Sequence, residues 1–531
     1  MRRRHSRSET GQAIVIIALG FVMLLAFSGL VVDVARVFVA RAHLRRAVDA
    51  AGLSATSKFR TGATGTMIMQ SAVDLLRSND VIDPAVVIET CSLEGTTLNP
   101  DLCTDPARKL VRVVATEQVP MIFLQLVGFP TVTVSAESTA EAASVDAVLV
   151  LDNSESQAYG SCDQTNVNDI WACVNGGTGG TGAEYEGCNA AVVSDPNYPE
   201  LTRGNCQPFR RTKEAAYSFI KRMYAGYDRI GIINFSENAN RLVPLTFDLD
   251  YAIQQINNMD VYVPRPDGLD GHIPCNSTTP PEEAWKCGSS NIGSGIILGH
   301  DEFGQPDHPL REDALWVIIL LIDGPANRTS YDARIPWSDV QYGTCPESEQ
   351  ATRLKCRDAD VNSRHWTQPV VDPLYDADDY AHDYADITGL DSEKYKSVGG
   401  TGILMYTIAL GRNAVCVDPL ASYTPPIGSA PAICTGARAV YGDPDAGEQL
   451  LRYIADIGDD GNPATGPCLD RQSPFRDGDP TSGSFLYEPS GRSDDAPLGT
   501  QCGNYYFAPD ATELQRIFLE IAGRIFTRLS G

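Results

Sequence analysis

The 531-residue sequence predicts an α/β chain with an N-terminal transmembrane helix, a small α/β region, and a doubly wound, mostly parallel sheet carrying long disulfide-bearing insertions. Three observations lead there. Residues 13–32 carry no charge. Beyond residue 144, near-continuous apolar runs alternate with helical patterns. All fourteen cysteines lie at or after Cys91, within loop-like stretches rich in Gly, Pro and Asn.

The uncharged stretch comes first. At about 1.5 Å per residue, twenty helical residues span roughly 30 Å, the thickness of a bilayer's hydrocarbon core. A cleaved signal peptide has a shorter apolar run, roughly 7–15 residues. Here the helical pattern continues past Val32 to about Phe59, so a retained anchor is the reading. Arg2, Arg3, Arg4 and Arg7 precede the span, and Arg36, Arg41, Arg45 and Arg46 follow it. Positive charge therefore does not orient it. The cysteines do, because disulfides form outside the cytosol. The expectation is a single-pass cell-membrane protein with residues 1–12 as a cytoplasmic basic tail and the C-terminal bulk extracytoplasmic.

Residues 60–143 read as the small α/β region. Its strand-like runs are Lys109–Ala115 and Thr131–Ala136, rich in β-branched residues. Between them Pro120–Val127 reads as a short helix, with Pro at its start and Gly128 after its end.

From residue 144 the apolar runs Asp146–Leu151, Arg229–Phe235, Ala314–Ile322 and Gly402–Leu410 suit strands buried on both faces of a parallel sheet. Helical patterns at Thr212–Met223, Asn291–Gly299, Ala377–Ile387, Gly447–Ile457 and Asp510–Leu529 alternate with them, which defines the doubly wound (Rossmann-like) arrangement. Insertions are expected at about 157–207, 259–289, 325–375, 412–446 and 458–503.

The cysteines fall into neighbours: 91/103, 162/173, 188/206, 275/287, 345/356, 416/434 and 468/502. Sequential pairing is the hypothesis. No CxxC occurs, so a zinc cluster has little support.

A net charge of −26 argues against nucleic acid as a partner, since the surface would repel phosphates. The informative residues end the first and third apolar runs. Asp152-Asn-Ser-Glu-Ser156 places Asp, Ser and Ser at alternate positions of one loop, where three oxygens can face one point. Asp323-Gly324 ends the third run, and Ser290 stands just before a helical pattern. Five hard oxygen donors suit Mg²⁺, with Mn²⁺ or Ca²⁺ as alternatives, and disfavour zinc. For a lone DxSxS motif, an ordinary Asx or Ser turn is the competing reading.

Two resemblances follow from these residues. Gly11-Gln12, the apolar span, Asp33 and Ala47–Ala55 look like the N-terminus of TadG-like and TadE-like proteins of bacterial tight-adherence (Flp) pilus systems. The prepilin-peptidase substrates of those systems carry Glu five residues after a cleaved glycine. Counting from Gly11, Ile16 stands there, which implies an uncleaved anchor. The region after the anchor resembles the small domain of the same proteins.

From about residue 144 the three motifs resemble the metal-ion-dependent adhesion site of von Willebrand factor A (VWA) domains. The resemblance implies one divalent cation on Asp152, Ser154, Ser156, Ser290 and Asp323, with a protein partner's carboxylate as a further ligand. Ser290 stands where that family usually has Thr, and Glu155 where it has Gly. The insertions at 157–207 and 260–289 flank the motifs; they either set ligand choice or are decoration.

No catalytic residues are expected. The seven histidines are scattered, and neither HExxH nor GxSxG is present. The acidic stretch Asp376–Asp386 lacks the Gly and terminal Glu of an EF-hand and reads as an acidic helix start. Asp456, Asp459 and Asp460 read as a solvated helix end rather than a second cation site.

The expected function is binding through the cation in surface adhesion or pilus work. The alternatives are a structural pilus-assembly or envelope component with an incidental metal, and, behind both, a metal-dependent hydrolase.

Overall fold

The computed structural model describes residues 10–59, 62–142, 144–162, 167–176, 187–193, 195–265, 290–308, 310–311, 314–324, 326, 328–330, 377–389, 403–411, 422–424, 433–435, 447, 450–455, 504–510 and 512–528. They fall into two compact units, Met1–Ala143 with Phe526–Gly531, and Ser144–Ile525.

In the first unit, helix α1 (Thr10–Thr56) is continuous through and beyond the uncharged stretch. Its second half becomes amphipathic: Leu44, Ala47, Val48, Ala51 and Ala55 are buried at three- and four-residue spacing, so they share one face. That face packs on α2 (Gly65–Ser78) and on a sheet containing β1 (Ala85–Thr90), β2 (Thr97–Leu98), β3 (Lys109–Pro120) and β4 (Thr131–Ala142) in the order β2-β1-β3-β4. The Ser54 and Ser71 hydroxyls, 2.7 Å apart, tie α1 to α2.

β3 and β4 form an unbroken antiparallel hairpin from Lys109↔Ala142 to Pro120↔Thr131. Both strands outrun their apolar signals because pairing holds residues whose outer faces are polar. Here the expected Pro120–Val127 helix is corrected. Pro120 ends β3, and only Leu124–Val127 turns, as a 3₁₀ helix closed by Gly128 at φ 99°. The Cys91–Cys103 disulfide closes the loop after β1.

In the second unit, β5 (Ser144–Asp152), β6 (Arg229–Phe235) and β7 (Ala239–Thr246) lie on one side of the switch, and β8 (Ala314–Ile322), β9 (Leu404–Leu410) and β12 (Tyr505–Ala508) on the other. The order is β12-β9-β8-β5-β6-β7. Among the described strands of this sheet, β7 runs antiparallel to β6 and the other pairings are parallel. This is the doubly wound sheet the alternating pattern predicts. β5 and β9 are buried along their whole length, as strands covered on both faces must be. A small two-stranded ribbon pairs β10 (Ser422–Thr424) with β11 (Ile433–Thr435).

The helices of this unit include α3 (Val167–Asn175), α4 (Phe209–Ile220), α5 (Leu249–Asn258), α6 (Ile292–Asp301), α7 (Ala377–Gly389) and α8 (Leu514–Arg528). α4 starts and stops three residues before the expected Thr212–Met223. Its buried face begins at Phe209, and the cis peptide bond before Pro208 lies just ahead of it. Of the expected Gly447–Ile457 helix, residue 447 and residues 450–455 are helical and the rest lies outside the described residues.

Cys162–Cys173 and Cys188–Cys206 pair as the sequential hypothesis expects. The pairings 275/287, 345/356, 416/434 and 468/502, most of the three later insertions and Asp456, Asp459 and Asp460 lie outside the described residues.

At the N-terminal end of the sheet, Asp146 on β5 faces Arg229 in register on β6. Arg229 Nε donates to Asp146 Oδ1 at 3.0 Å, and Arg311 pairs with the same carboxylate. All three side chains are buried, and both guanidinium groups lie over the Phe247 ring, at 5.9 and 5.2 Å. This cluster locks the lower edge of the sheet, opposite the end where β5 finishes in Asp152.

Candidate metal centre

In the sheet order the chain leaves β5 for β6 on one side and later returns to β8 on the other. The switch point therefore lies between β5 and β8, and a doubly wound sheet opens a crevice at the carboxyl ends of the strands there. β5 ends in Asp152 and β8 is followed at once by Asp323. The parallel register Leu151↔Leu321 brings the two carboxylates side by side. Placement of the pair thus follows from strand length and register.

The hydroxyls close around them. The Ser154 N–H donates to Asp152 Oδ1 at 2.9 Å, folding the loop back on the strand end. Ser154 Oγ and Ser156 Oγ are 2.9 Å apart, and Ser156 Oγ donates to Asp323 Oδ1 at 2.7 Å. Ser290 Oγ donates to Asp152 Oδ2 at 2.8 Å. All five sequence-predicted residues therefore meet in one continuous chain of hydrogen bonds.

Ser290 arrives there because of the helix behind it. Asn291 caps α6, its side chain accepting from the Ser294 N–H at 3.3 Å, and donates to the Glu237 carbonyl at 2.9 Å. The helix also lies close on the sheet: a Cβ at Gly295 would sit 2.9 Å from Val150 Cγ1 and 3.0 Å from Phe235 Cδ1. A side chain at that position would lift α6 off β5 and carry Ser290 away from Asp152.

Asp152 is wholly buried and Asp323 nearly so. Among the described residues neither forms an ion pair. Burial pushes the Asp152 carboxyl above the usual carboxylate range, against hydrogen bonds from Ser154 and Ser290. Asp323 is raised well above it, by burial first and then by the neighbouring Asp152 charge. Two adjoining buried carboxylates cannot both ionise cheaply without a positive charge between them.

The donor set fits a hard divalent ion. It has two carboxylates and three hydroxyls, with no nitrogen or sulfur, which is the chemistry Mg²⁺, Mn²⁺ and Ca²⁺ take. Among the described residues no three His, Cys, Asp or Glu side chains cluster together, so a carboxylate-rich cage or a zinc-type site is a different thing from this one.

Sequence reasoning passed over three neighbours. Gln157, wholly buried, lies beside Asp323 and favours its charged form, yet neither of its amide atoms completes a hydrogen bond among the described residues. Asn153 pins the loop between the motif's oxygens: its N–H donates to the Phe235 carbonyl at 3.0 Å and its amide to the Asp260 carbonyl at 3.0 Å. Asn291 is the cap described above. A polar residue inside or directly after the DxSxS loop, and directly after Ser290, was the available signal. Glu155, the acidic residue within the motif, turns aside to accept from the Tyr159 hydroxyl at 2.9 Å.

Comparisons with known proteins add the following. Residues 11–58 match the profile of the TadE/G-like Flp pilus-assembly family, and residues 40–140 that of the Tad-like Flp pilus-assembly family. These matches support a Tad pilus-associated anchor in the first unit. No curated protein matches the chain.

Among solved structures, the PilB minor pilin from Streptococcus sanguinis is 14% identical, with 84% of this chain and 79% of that one covered at a TM-score of 0.32. The vWF domain of the type V pili tip protein Mfa5 from Porphyromonas gingivalis is 12% identical, with 73% and 97% covered at a TM-score of 0.29. The conserved hypothetical protein BatB from Bacteroides thetaiotaomicron is 13% identical, with 72% and 98% covered at a TM-score of 0.28. These are distant likenesses.

Proposed function

We propose that the second unit binds one divalent cation, Mg²⁺ foremost, on Asp152, Ser154, Ser156, Ser290 and Asp323, and uses it to hold a carboxylate of a protein partner. The site would work as a metal-ion-dependent adhesion site of the VWA kind, on a chain anchored by α1. The observation that carries this reading is the pair of buried carboxylates at the switch point, ringed by three hydroxyls and lacking a cationic side chain among the described residues. A bound ion would take over the oxygens that the serine hydroxyls now bridge, and it would supply electrostatic attraction for one more oxygen from outside.

The N-terminal matches support a pilus-associated setting, with pilus or envelope components as partners. In this reading the chain crosses the membrane once, residues 1–12 are cytoplasmic and the second unit is extracytoplasmic. The disulfides Cys162–Cys173 and Cys188–Cys206 are in keeping with an oxidising compartment. A binding rather than catalytic role accords with the site's chemistry, since Glu155, the acidic side chain of the motif outside the donor set, accepts from the Tyr159 hydroxyl.

Divalent-ion calorimetry on the full chain in detergent micelles tests the site. The parent is expected to take up one Mg²⁺, and Asp152→Ala to lose more than the roughly 10–100-fold in affinity that removal of an outer-shell partner costs. Absence of ion uptake by the parent sinks the reading.

The second reading, a structural pilus component with an incidental metal, is favoured by the family matches falling on the anchor unit alone. It predicts that Asp152→Ala restores pilus function in a deletion strain as fully as the parent does.

A further inference from the structure

Along α1, residues 14–32 are exposed to whatever surrounds the helix, with one exception: Gly29 is buried. Asp33, the first charge after the uncharged stretch, is buried on the same face one turn later. Both are covered by the tip of the β3–β4 hairpin, residues 121–130, which belongs to the same unit.

The attachment is specific. Asp33 Oδ1 accepts the Ile122 N–H at 2.9 Å, and Oδ2 accepts the Phe123 and Leu124 N–H groups at 2.8 and 2.7 Å. The carboxylate thus caps the 3₁₀ turn Leu124–Val127. The Phe123 ring lies directly on Gly29, where a Cβ would come within 2.5 Å of its Cγ. Only glycine admits the ring at that point.

This docking sets the depth of the hairpin tip. Gly29 is three residues inside the uncharged stretch, about 4.5 Å at a helical rise. The tip therefore straddles the level at which the apolar span ends.

Its composition suits that level. From residue 118 to residue 136 there is no charged side chain. Ile122, Phe123, Leu126, Val127 and Phe129 are all exposed large apolar residues, with Leu126 at 79%.

The tip's backbone is also prepared for a place poor in water. The Met121 N–H bonds the Pro130 carbonyl at 2.9 Å, Leu126 bonds Phe123 at 3.0 Å, Gly128 bonds Gln125 at 3.2 Å and Phe129 bonds Leu124 at 3.0 Å. With the three N–H groups on Asp33, most of the tip's donors are satisfied within the protein, as non-helical backbone at membrane depth requires.

We propose that residues 121–130 form a second membrane contact, an apolar wedge seated in the bilayer interface and latched to the end of the transmembrane span by Asp33. The bilayer is the occupant because the tip is continuous with the span it sits on, and an apolar element at that level is buried in the headgroup and acyl boundary. The wedge and the span together would fix the anchor's tilt and rotation, which a single helix leaves free.

The proposal rests on residues 13–32 crossing the bilayer, and one experiment separates the two. The full chain is reconstituted into phosphatidylethanolamine–phosphatidylglycerol vesicles doped with a lipid carrying a photoactivatable diazirine close to the glycerol. After illumination, lipid adducts are mapped by proteolysis and mass spectrometry. Adducts are expected on the 121–130 peptide as well as on the span. The surface pair Leu126→Asp with Val127→Asp, which leaves the fold's contacts alone, is expected to lose the tip adducts and keep those of the span. Asp33→Ala is expected to lose them too.

Span adducts without tip adducts in the parent overturn the wedge, and the tip then meets water or another protein. Absence of adducts from both peptides overturns the span itself.

Discussion

Replacing Asp146 with Ala is expected to destabilise the second unit by about 3–5 kcal/mol, the cost of leaving buried charges without their partner. Asp146 pairs with both Arg229 and Arg311, and all three are buried. Its loss would take the shared carboxylate away from two buried guanidinium groups that lie over one phenylalanine ring. Arg311 Nη1 would keep its bond to the Tyr227 carbonyl at 2.7 Å, which softens the loss without neutralising it. Denaturant titration followed through Trp316, whose indole donates to the Arg311 carbonyl at 3.0 Å, reads the effect directly. Adding Arg229→Met and Arg311→Met to the alanine variant is expected to recover part of it, since the uncompensated charges go. A loss below about 1 kcal/mol in the single variant would show that the cluster is hydrated and does not lock the sheet.

The opposite sign is expected at the other end of β5. Asp323→Asn should stabilise the ion-free second unit at neutral pH while abolishing stabilisation by Mg²⁺. Both Asp152 and Asp323 are raised in the folded state, chiefly by burial. The folded protein therefore holds protons that the unfolded chain has released. Its ion-free stability falls as pH rises from the ordinary carboxylate range through the raised one. A cation reverses this, because it needs the same groups deprotonated, and its affinity should climb over the same interval. With Mg²⁺ at roughly a hundred times its Kd, the parent gains about 2.7 kcal/mol. Asn keeps the oxygen that Ser156 donates to and loses the titrating charge. Thermal unfolding at several pH values, with and without Mg²⁺, measures all of this. Identical pH profiles for parent and variant would remove the electrostatic basis of the site.

Much of the fold was legible because its signals are local. The runs ending in Leu151, Phe235, Ile322 and Leu410 are near-continuously apolar, as strands covered on both faces tend to be, and each is a strand in the structure. β7 was not legible. It is a partly exposed edge strand, Asn240 and Arg241 are polar, and its pairing with β6 is irregular between Ile230 and Ile233. The 3₁₀ turn at Leu124–Val127 was half legible: Gly128 marked its end, whereas its start is set by an aspartate some 90 residues earlier.

The candidate metal centre divides the same way. Asp152, Ser154 and Ser156 could be named from one loop, since alternate oxygens on a turn are a short-range pattern. Asp323 and Ser290 could be named as residue types at a strand end and a helix start. That Ser290 meets Asp152 138 residues away, and Ser156 meets Asp323 167 residues away, depends on β5 lying beside β8 and on Gly295 letting α6 settle onto them.

By itself the sequence determined the length of the uncharged stretch, the period of the strongly patterned elements, the grouping of the cysteines into neighbours and the oxygen-only character of the donor set. All of these are properties of residues near one another along the chain. The tertiary structure alone decided that two carboxylates are buried together, that Asp146 holds two arginines and that Asp33 caps a distant turn. The physical reason is common to the three: a charge's energy depends on what surrounds it once water has gone, and only folding chooses those neighbours.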